Sequence, residues 1–216
     1  MSSRDRLDEV VKILVLGDTR VGKTSFIYRY VNNSFLEDYK STIILDNLQK
    51  ELKEHGGRRM KIKIQFWDIA GQPRYPLLAK SFYRYTRGCI IMFDLTDPAS
   101  FENVKEWKQH FDNITIDECY APIPCLLVAN KLDLSPRTIT DRQIEEMCHD
   151  LLFVQWTQTS VKDGTNVNEA VTYLLDVVLG KSPNTYIPSE YELIEHVHLA
   201  DYVEKPQKKR CKACTL

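Results

Sequence analysis

The chain has 216 residues, 43% hydrophobic and 27% charged, and its 29 Lys and Arg against 30 Asp and Glu leave a net charge of -1. These values describe one globular domain with a well-buried core plus a tail. They exclude a whole-molecule field that would draw nucleic acid or a membrane surface, so any such attraction has to come from a local patch.

In chain order, "VVKILVLG" (10–17) is a β-branched run ending in glycine and predicts a buried strand. "KTSFIYRYVN" (23–32) follows with helical spacing, placing Phe26, Ile27, Tyr30 and Val31 on one face. "STIILDNLQKEL" (41–52) and "MKIKIQFWD" (60–68) flank "KEHGGRR" and predict a hairpin with the glycine pair at its turn. "GCIIMFDL" (88–95) and "IPCLLVAN" (123–130) are continuous apolar runs, as strands covered on both faces require. Between them, residues 98–113 predict one helix with Ser100 as N-cap and Glu102 in its first turn. A helix over 140–151 is capped by Thr140 or Asp141; residues 153–160 form the last strand and 166–180 the last helix, closed by Gly180. The expected fold is α/β, a mostly parallel six-stranded sheet with helices on both faces, over residues 1–180. From Lys181 the periodicity stops, and 181–216 is expected to be a flexible tail.

The N-terminus "MSSRDRLDEV" carries no apolar signal region, and no run approaches about 18–20 apolar residues. The expected compartment is the cytosol or the cytosolic face of a membrane. Of the six cysteines, Cys89 and Cys125 lie in apolar runs and read as small core residues, Cys119 and Cys148 show no metal-site spacing, and Cys211 and Cys214 fall at the end of the polar tail.

Four polar loops each follow a strand. "GDTRVGKT" (17–24) matches G-x-x-x-x-G-K-[ST], in which backbone amides hold phosphate oxygens, Lys23 reaches the β- and γ-phosphates and Thr24 ligates Mg²⁺. In "WDIAGQ" (67–72), Asp68 is placed for Mg²⁺, Gly71 offers an unobstructed amide to a γ-phosphate, and Gln72 is placed to orient a water. In "NKLD" (130–133), the Asp133 carboxylate can accept from guanine N1–H and N2–H₂, whereas adenine leaves it unpaired; Lys131 can lay its stem along the base. In "TSVKDG" (159–164), the amides of Ser160 and Val161 and the stem of Lys162 would finish the base pocket. A parallel sheet gathers all four strand ends on one edge, where ligands bind.

Over residues 8–180 the sequence resembles the Ras superfamily of small GTPases, and within it the Rab family. "GDTRVGKTSF" is similar to a Rab phosphate loop, which brings in Asp18, Thr19, Val21, Gly22 and Ser25; "NNSFLEDYKSTI" resembles a Rab switch I and "WDIAGQPRY" a switch II. The resemblance implies a P-loop GTPase domain that binds GTP and GDP with Mg²⁺ and hydrolyses GTP slowly to regulate vesicle or organelle traffic. It implies that Thr42 closes on Mg²⁺ and the γ-phosphate, Phe35 packs beside guanine, Tyr39 covers the phosphates and Gln72 is the catalytic glutamine. It also implies an exchange factor, a GTPase-activating protein and effectors meeting the switches, a monomer with no nucleic-acid partner, and a prenylated C-terminus. The wording of "WDIAGQ", "CLLVANKLDLS" and "QWTQTSVKDGTNVNEA" points toward Rabs of lysosome-related organelles and the trans-Golgi. The expected location is therefore the cytosolic face of an endosomal, lysosome-related or Golgi membrane, with a cytosolic pool.

Several positions depart from the Rab pattern. Arg20 stands where a small residue is usual and either lies over the β/γ oxygens or swings to solvent. Pro73 follows Gln72, Ile44 and Asn47 replace Gly and Phe, and the hairpin turn looks slightly long. Asn47 removes one effector-facing aromatic, leaving Trp67 and the pair Phe82–Tyr83. Arg20 and Pro73 favour a rival reading, a nucleotide-binding module that no longer cycles; "NKLD" opposes another, a P-loop kinase. The ending "KKRCKACTL" fits none of the usual Rab endings and is not a strict C-a-a-X, since position 213 is Ala; prenylation is expected at Cys214 with Cys211 as second site.

Overall fold

The computed structural model describes residues 9–35, 45–69, 82–118 and 123–180. The strands are β1 (Glu9–Leu16), β2 (Leu45–His55), β3 (Arg58–Ile69), β4 (Thr86–Asp94), β5 (Cys125–Asn130) and β6 (Gln155–Gln158). The helices are α1 (Lys23–Asn32), α2 (Pro98–Glu102), α3 (Val104–Glu118), α4 (Asp141–Asp150) and α5 (Val167–Val178). One sheet holds the strands in the order β2-β3-β1-β4-β5-β6, with only the β2–β3 pair antiparallel.

Alternation along the buried strands explains both helical layers. Leu14, Leu16, Cys89, Ile91, Phe93 and Leu127 face a core completed by Trp107, Phe111 and Ile114 of α3 and by Ile144 and Met147 of α4. Their neighbours Ile13, Val15, Ile90, Met92, Leu126 and Val128 face the opposite core, completed by Phe26, Ile27 and Tyr30 of α1 and by Val171, Leu174 and Leu175 of α5. A strand covered on both sides must be apolar at every position, which is why β4 and β5 read as unbroken runs. Cys89 and Cys125 are buried register partners in those strands, and Cys148 is buried on α4.

The β2–β3 ladder runs to His55 opposite Arg58, so the turn is the two-residue Gly56–Gly57 kind, and the irregularity lies instead in a register shift between Leu52 and Glu54. His55 Nε2 meets Asp176 Oδ1 at 2.8 Å and pins the hairpin's end to α5.

Three boundaries differ from expectation. The helix predicted over 98–113 is two helices that break at Asn103, and the second continues to Glu118. The N-cap of the first is Asp97, whose Oδ1 accepts from Ala99 N–H at 3.1 Å, with Pro98 filling the first helical position. Ser100 is inside the first turn instead; its hydroxyl donates to Asp97 O at 2.8 Å and accepts from Asp94 N–H at 3.0 Å. The last strand covers only Gln155–Gln158, because Ser160 has already turned to bridge Thr165. On α4 the cap is Thr140, in a capping box with Gln143. Residues 41–44, the rest of the predicted second strand, lie outside the described residues, as do 119 and 181–216 with Cys119 and the two tail cysteines.

Candidate functional site

The carboxyl ends of β1, β3, β5 and β6, from which the predicted loops leave, lie along one edge of the sheet, as a parallel arrangement must, and of the second loop residues 67–69 are described. Two glycines of the first loop are dictated by close approach. A Cβ on Gly17 (φ 132°) would stand 2.2 Å from Met92 O, and one on Gly22 (φ 102°) would stand 2.4 Å from Asn130 Nδ2. Gly22 is the N-cap of α1 and supplies no side-chain cap, so the helix's leading N–H groups face the loop.

Lys23 is folded back into this loop. Its Nζ donates to Gly17 O at 2.8 Å and to Asp18 O at 2.7 Å, and burial lowers its pKa to about 8 against the opposing pull of Asp68 and Asp18. Thr24 Oγ1 donates to Asp68 Oδ2, which joins the hydroxyl at the end of the 17–24 loop to the acidic residue near the end of β3. Asp68 is only 1% exposed, and Val21 is buried while Thr19 and Arg20 are exposed.

Asn130 is the centre of the site. Its Nδ2 donates to Val21 O at 2.8 Å in the first loop. Its Oδ1 accepts from Thr159 Oγ1 at 3.1 Å and from Val161 N–H at 3.3 Å in the fourth. Beside it opens a cavity of about 300 Å³ in which Arg20, Phe35, Lys131, Asp133, Val161 and Lys162 take part, with Gly22 and Ser25 on the side of the first loop. Asp133 Oδ1 accepts from Ser160 Oγ at 2.7 Å, which sets the carboxylate's angle at the rim.

Two expectations change in detail. The amides of Ser160 and Val161 are committed inside the protein, to Thr165 O at 3.2 Å and to Asn130 Oδ1, so they brace the pocket rather than stand open to it. The Lys131 ammonium is held by Asp94 Oδ2 at 2.6 Å, leaving its stem to line the cavity. Burial works to raise the Asp94 carboxyl, yet hydrogen bonds from Lys131 and Thr96 hold it below its ordinary value. Arg20 (φ 65°) lines the cavity from an exposed position. Tyr39, Thr42, Gly71, Gln72 and Pro73 lie outside the described residues.

The Ras family model matches residues 12–179. Rab-7L1 of Rattus norvegicus is 41% identical over 182 residues, covering 84% of this chain and 87% of that protein. The chain belongs to the Ras family of small GTPases, in its Rab branch. Rab-32 of Mus musculus is 33% identical over 210 residues, covering 96% of this chain and 91% of the relative, and Rab-32A of Dictyostelium discoideum is 38% identical over 171 residues. As a Rab, it binds guanine nucleotide, hydrolyses GTP, associates with intracellular membranes and regulates membrane traffic. Among the described residues no helix is long and apolar enough to cross a membrane.

Near the end of β3, Trp67 and Phe82 meet with ring centroids 6.1 Å apart, and Asn47 pairs with Trp67 in the strand register. Tyr83 does not join them. It is 1% exposed and packs against His110 and Phe111, so of the expected aromatic pair only Phe82 reaches this surface. Lys12, from the sheet's centre, stacks on the Trp67 ring at 3.9 Å and donates to Arg84 O at 2.9 Å.

Sequence reading missed Arg29, Asn103 and Trp107. Arg29 of α1 donates through Nε to Val161 O at 2.9 Å and through its guanidinium to Lys162 O, while lying 5.9 Å from the Phe35 ring centroid. It thereby joins the fourth loop to the aromatic wall of the cavity. No local pattern marks such a residue, since its partners lie more than a hundred positions away. Asn103 and Trp107 hold Asp18 and are treated below.

Proposed function

We propose that this cavity takes the guanine of GTP or GDP, with Asp133 accepting from N1–H and N2–H₂, the Lys131 and Lys162 stems and Phe35 flanking the base, and the 17–24 loop holding the phosphates. The observation that carries the reading is Asn130. One side chain bonded to both the phosphate loop and the base loop makes a single site of two segments, at a cavity edged by a carboxylate. Adenine presents no matching donor pair, so the same carboxylate selects against it.

The residues fit a magnesium ion. Mg²⁺ prefers hard oxygen donors, and the Thr24 hydroxyl and Asp68 carboxylate already converge beside Lys23. Thr24 and Asp68 would hold the ion, which would supply positive charge to offset that of the phosphates. Lys23, half-committed to two carbonyls and depressed in pKa by burial, gains an anionic partner when phosphates arrive. Thr42, Tyr39 and Gly71 would close over the γ-phosphate, and Gln72 would orient the attacking water. Intrinsic turnover is slow, because catalysis at this bond leans on a cation of the arginine-finger kind that a partner protein supplies. Exchange factor, activating protein and effectors would engage the switches, the effectors through Trp67 and Phe82. The membrane served would be of the endosomal, lysosome-related or Golgi class, as the wording of "WDIAGQ" and "CLLVANKLDLS" implies.

Single-turnover hydrolysis tests the reading. The wild-type chain should bind GTP and GDP in preference to ATP and convert bound GTP slowly. Gln72→Leu should leave GTP intact over the same interval. Preference for ATP, or hydrolysis undiminished by Gln72→Leu, would overturn it.

Anchoring is proposed at the tail. A single lipid chain binds a membrane marginally, and two signals hold it. Cys214 and Cys211 supply two attachment points, and Lys208, Lys209, Arg210 and Lys212 add cations worth about 1 kcal/mol each at an anionic surface. Protein from its native cell should carry added isoprenoid mass, and the Cys211→Ser, Cys214→Ser pair should move it to the soluble fraction. Unmodified protein that still sediments with membranes would rule this attachment out.

A further inference from the structure

We propose that Asn103 and Trp107 form a clamp that holds the Asp18 carboxylate aside from the bound phosphates, so that the α2–α3 junction sets nucleotide affinity. The inference rests on the reading of residues 17–24 as the phosphate cradle.

Asp18 is out of place by charge. It sits in the loop whose N–H groups gather an anion, and its own carbonyl holds Lys23 Nζ at 2.7 Å. A carboxylate free to turn toward that lysine would compete with the phosphates for it and repel them. The structure directs it away. Asp18 Oδ2 accepts from Asn103 Nδ2 at 2.7 Å, and Oδ1 accepts from Trp107 Nε1 at 2.7 Å. Each oxygen has one short, charge-assisted bond, which fixes both the position and the plane of the group.

The two donors come as a unit. Asn103 ends α2 and Trp107 lies one turn into α3, with Trp107 N–H donating to Asn103 O at 3.1 Å. Spacing of four residues puts both side chains on the same face. Trp107 is 6% exposed, wedged among the core residues of α3, so its indole cannot follow the loop if the loop moves. Asn103 keeps helical backbone angles (φ -69°, ψ -11°) and its N–H donates to Ala99 O at 3.0 Å, so the α2–α3 junction carries it at helical spacing from Trp107. Both donors are neutral, so they restrain the carboxylate without adding a cation that would bind phosphate in its place.

The test measures release of fluorescent GDP and of a non-hydrolysable GTP analogue from the full chain. The variants are Asn103→Ala, Trp107→Phe, the pair, and the pair combined with Asp18→Asn. The pair should release nucleotide about tenfold faster, the size of a like-charge contact over several ångströms at a half-exposed site. The loss should be larger for the triphosphate, which carries more charge. Adding Asp18→Asn should recover most of it, because the neutral amide no longer repels. Asn103 is half-exposed and makes the same test in a variant that keeps the core intact; thermal melting of each variant confirms the fold. Wild-type release rates in the pair would overturn the clamp. Fast release that Asp18→Asn does not recover, equal for di- and triphosphate, would also overturn it and assign both residues to packing. A wild-type chain that bound neither nucleotide would instead overturn the cradle reading, before any variant was compared.

Discussion

Asp133→Ala should lower GDP affinity by about 10²–10⁴-fold with the fold intact. Two hydrogen bonds from a neutral base to a carboxylate are each worth about 1.5–3 kcal/mol, and the base's donors would be left facing methyl. Asp133 is an exposed rim residue that accepts from the Ser160 hydroxyl at 2.7 Å, and Ser160 keeps a second bond from Asp163 N–H at 3.1 Å. The change should therefore cost about 1 kcal/mol of stability at most. Equilibrium titration with fluorescent GDP reads the first quantity and thermal melting the second. GDP affinity within threefold of wild type would mean that guanine is recognised elsewhere.

Asn130→Ala should damage both affinity and stability. Three hydrogen bonds disappear together from a side chain that is 3% exposed. Val21 O, Thr159 Oγ1 and Val161 N–H lose that partner inside the protein, at about 1 kcal/mol or more each. A loss of roughly 3 kcal/mol in a domain of this size corresponds to a drop of about 6–12 °C in Tm. Asn130→Asp keeps acceptors for Thr159 and Val161 but sets a buried carboxylate against Val21 O with no donor. An uncompensated buried charge costs more than a lost neutral bond, so it should melt no higher than the Ala variant and release GDP quickly. Equal melting of Asn130→Ala and wild type would show that the two loops do not depend on this side chain.

Much of this site can be read along the chain, because the chemistry is local. Gly17 to Thr24 follows a strand and opens a helix at the predicted positions, and β4 and β5 announce their burial by continuous apolar sequence. The cap at Asp97 rather than Ser100 is also a local signal: Asp97-Pro98 is a start signature, with an acceptor before a proline at the first helical position. What could not be read is the cross-chain bonding. Asp18 finds Trp107 across 89 positions, Asn130 finds Val21 across 109, and Arg29 finds Val161 across 132. These pairings depend on the strand order, which brings β1 between β3 and β4, and no window of sequence contains both partners. Tyr83 shows the same limit. Adjacent aromatics look alike in sequence, but Phe82 reaches the surface and Tyr83 is in the core.

The strand order also bears on how the chain is made. β1 precedes both its neighbours in the chain, yet it occupies an interior position, parallel to β3 through Asp68 and to β4 through Ile91. Its residues Ile13 to Leu16 are fully buried in the finished protein. At about 5–20 residues per second of translation, this apolar segment waits several seconds outside the ribosome before either neighbour is complete. During that interval it is an unpaired strand of the kind that self-associates or is held by a chaperone. Newly made protein, rather than the folded switch, is where this sequence is most exposed to aggregation.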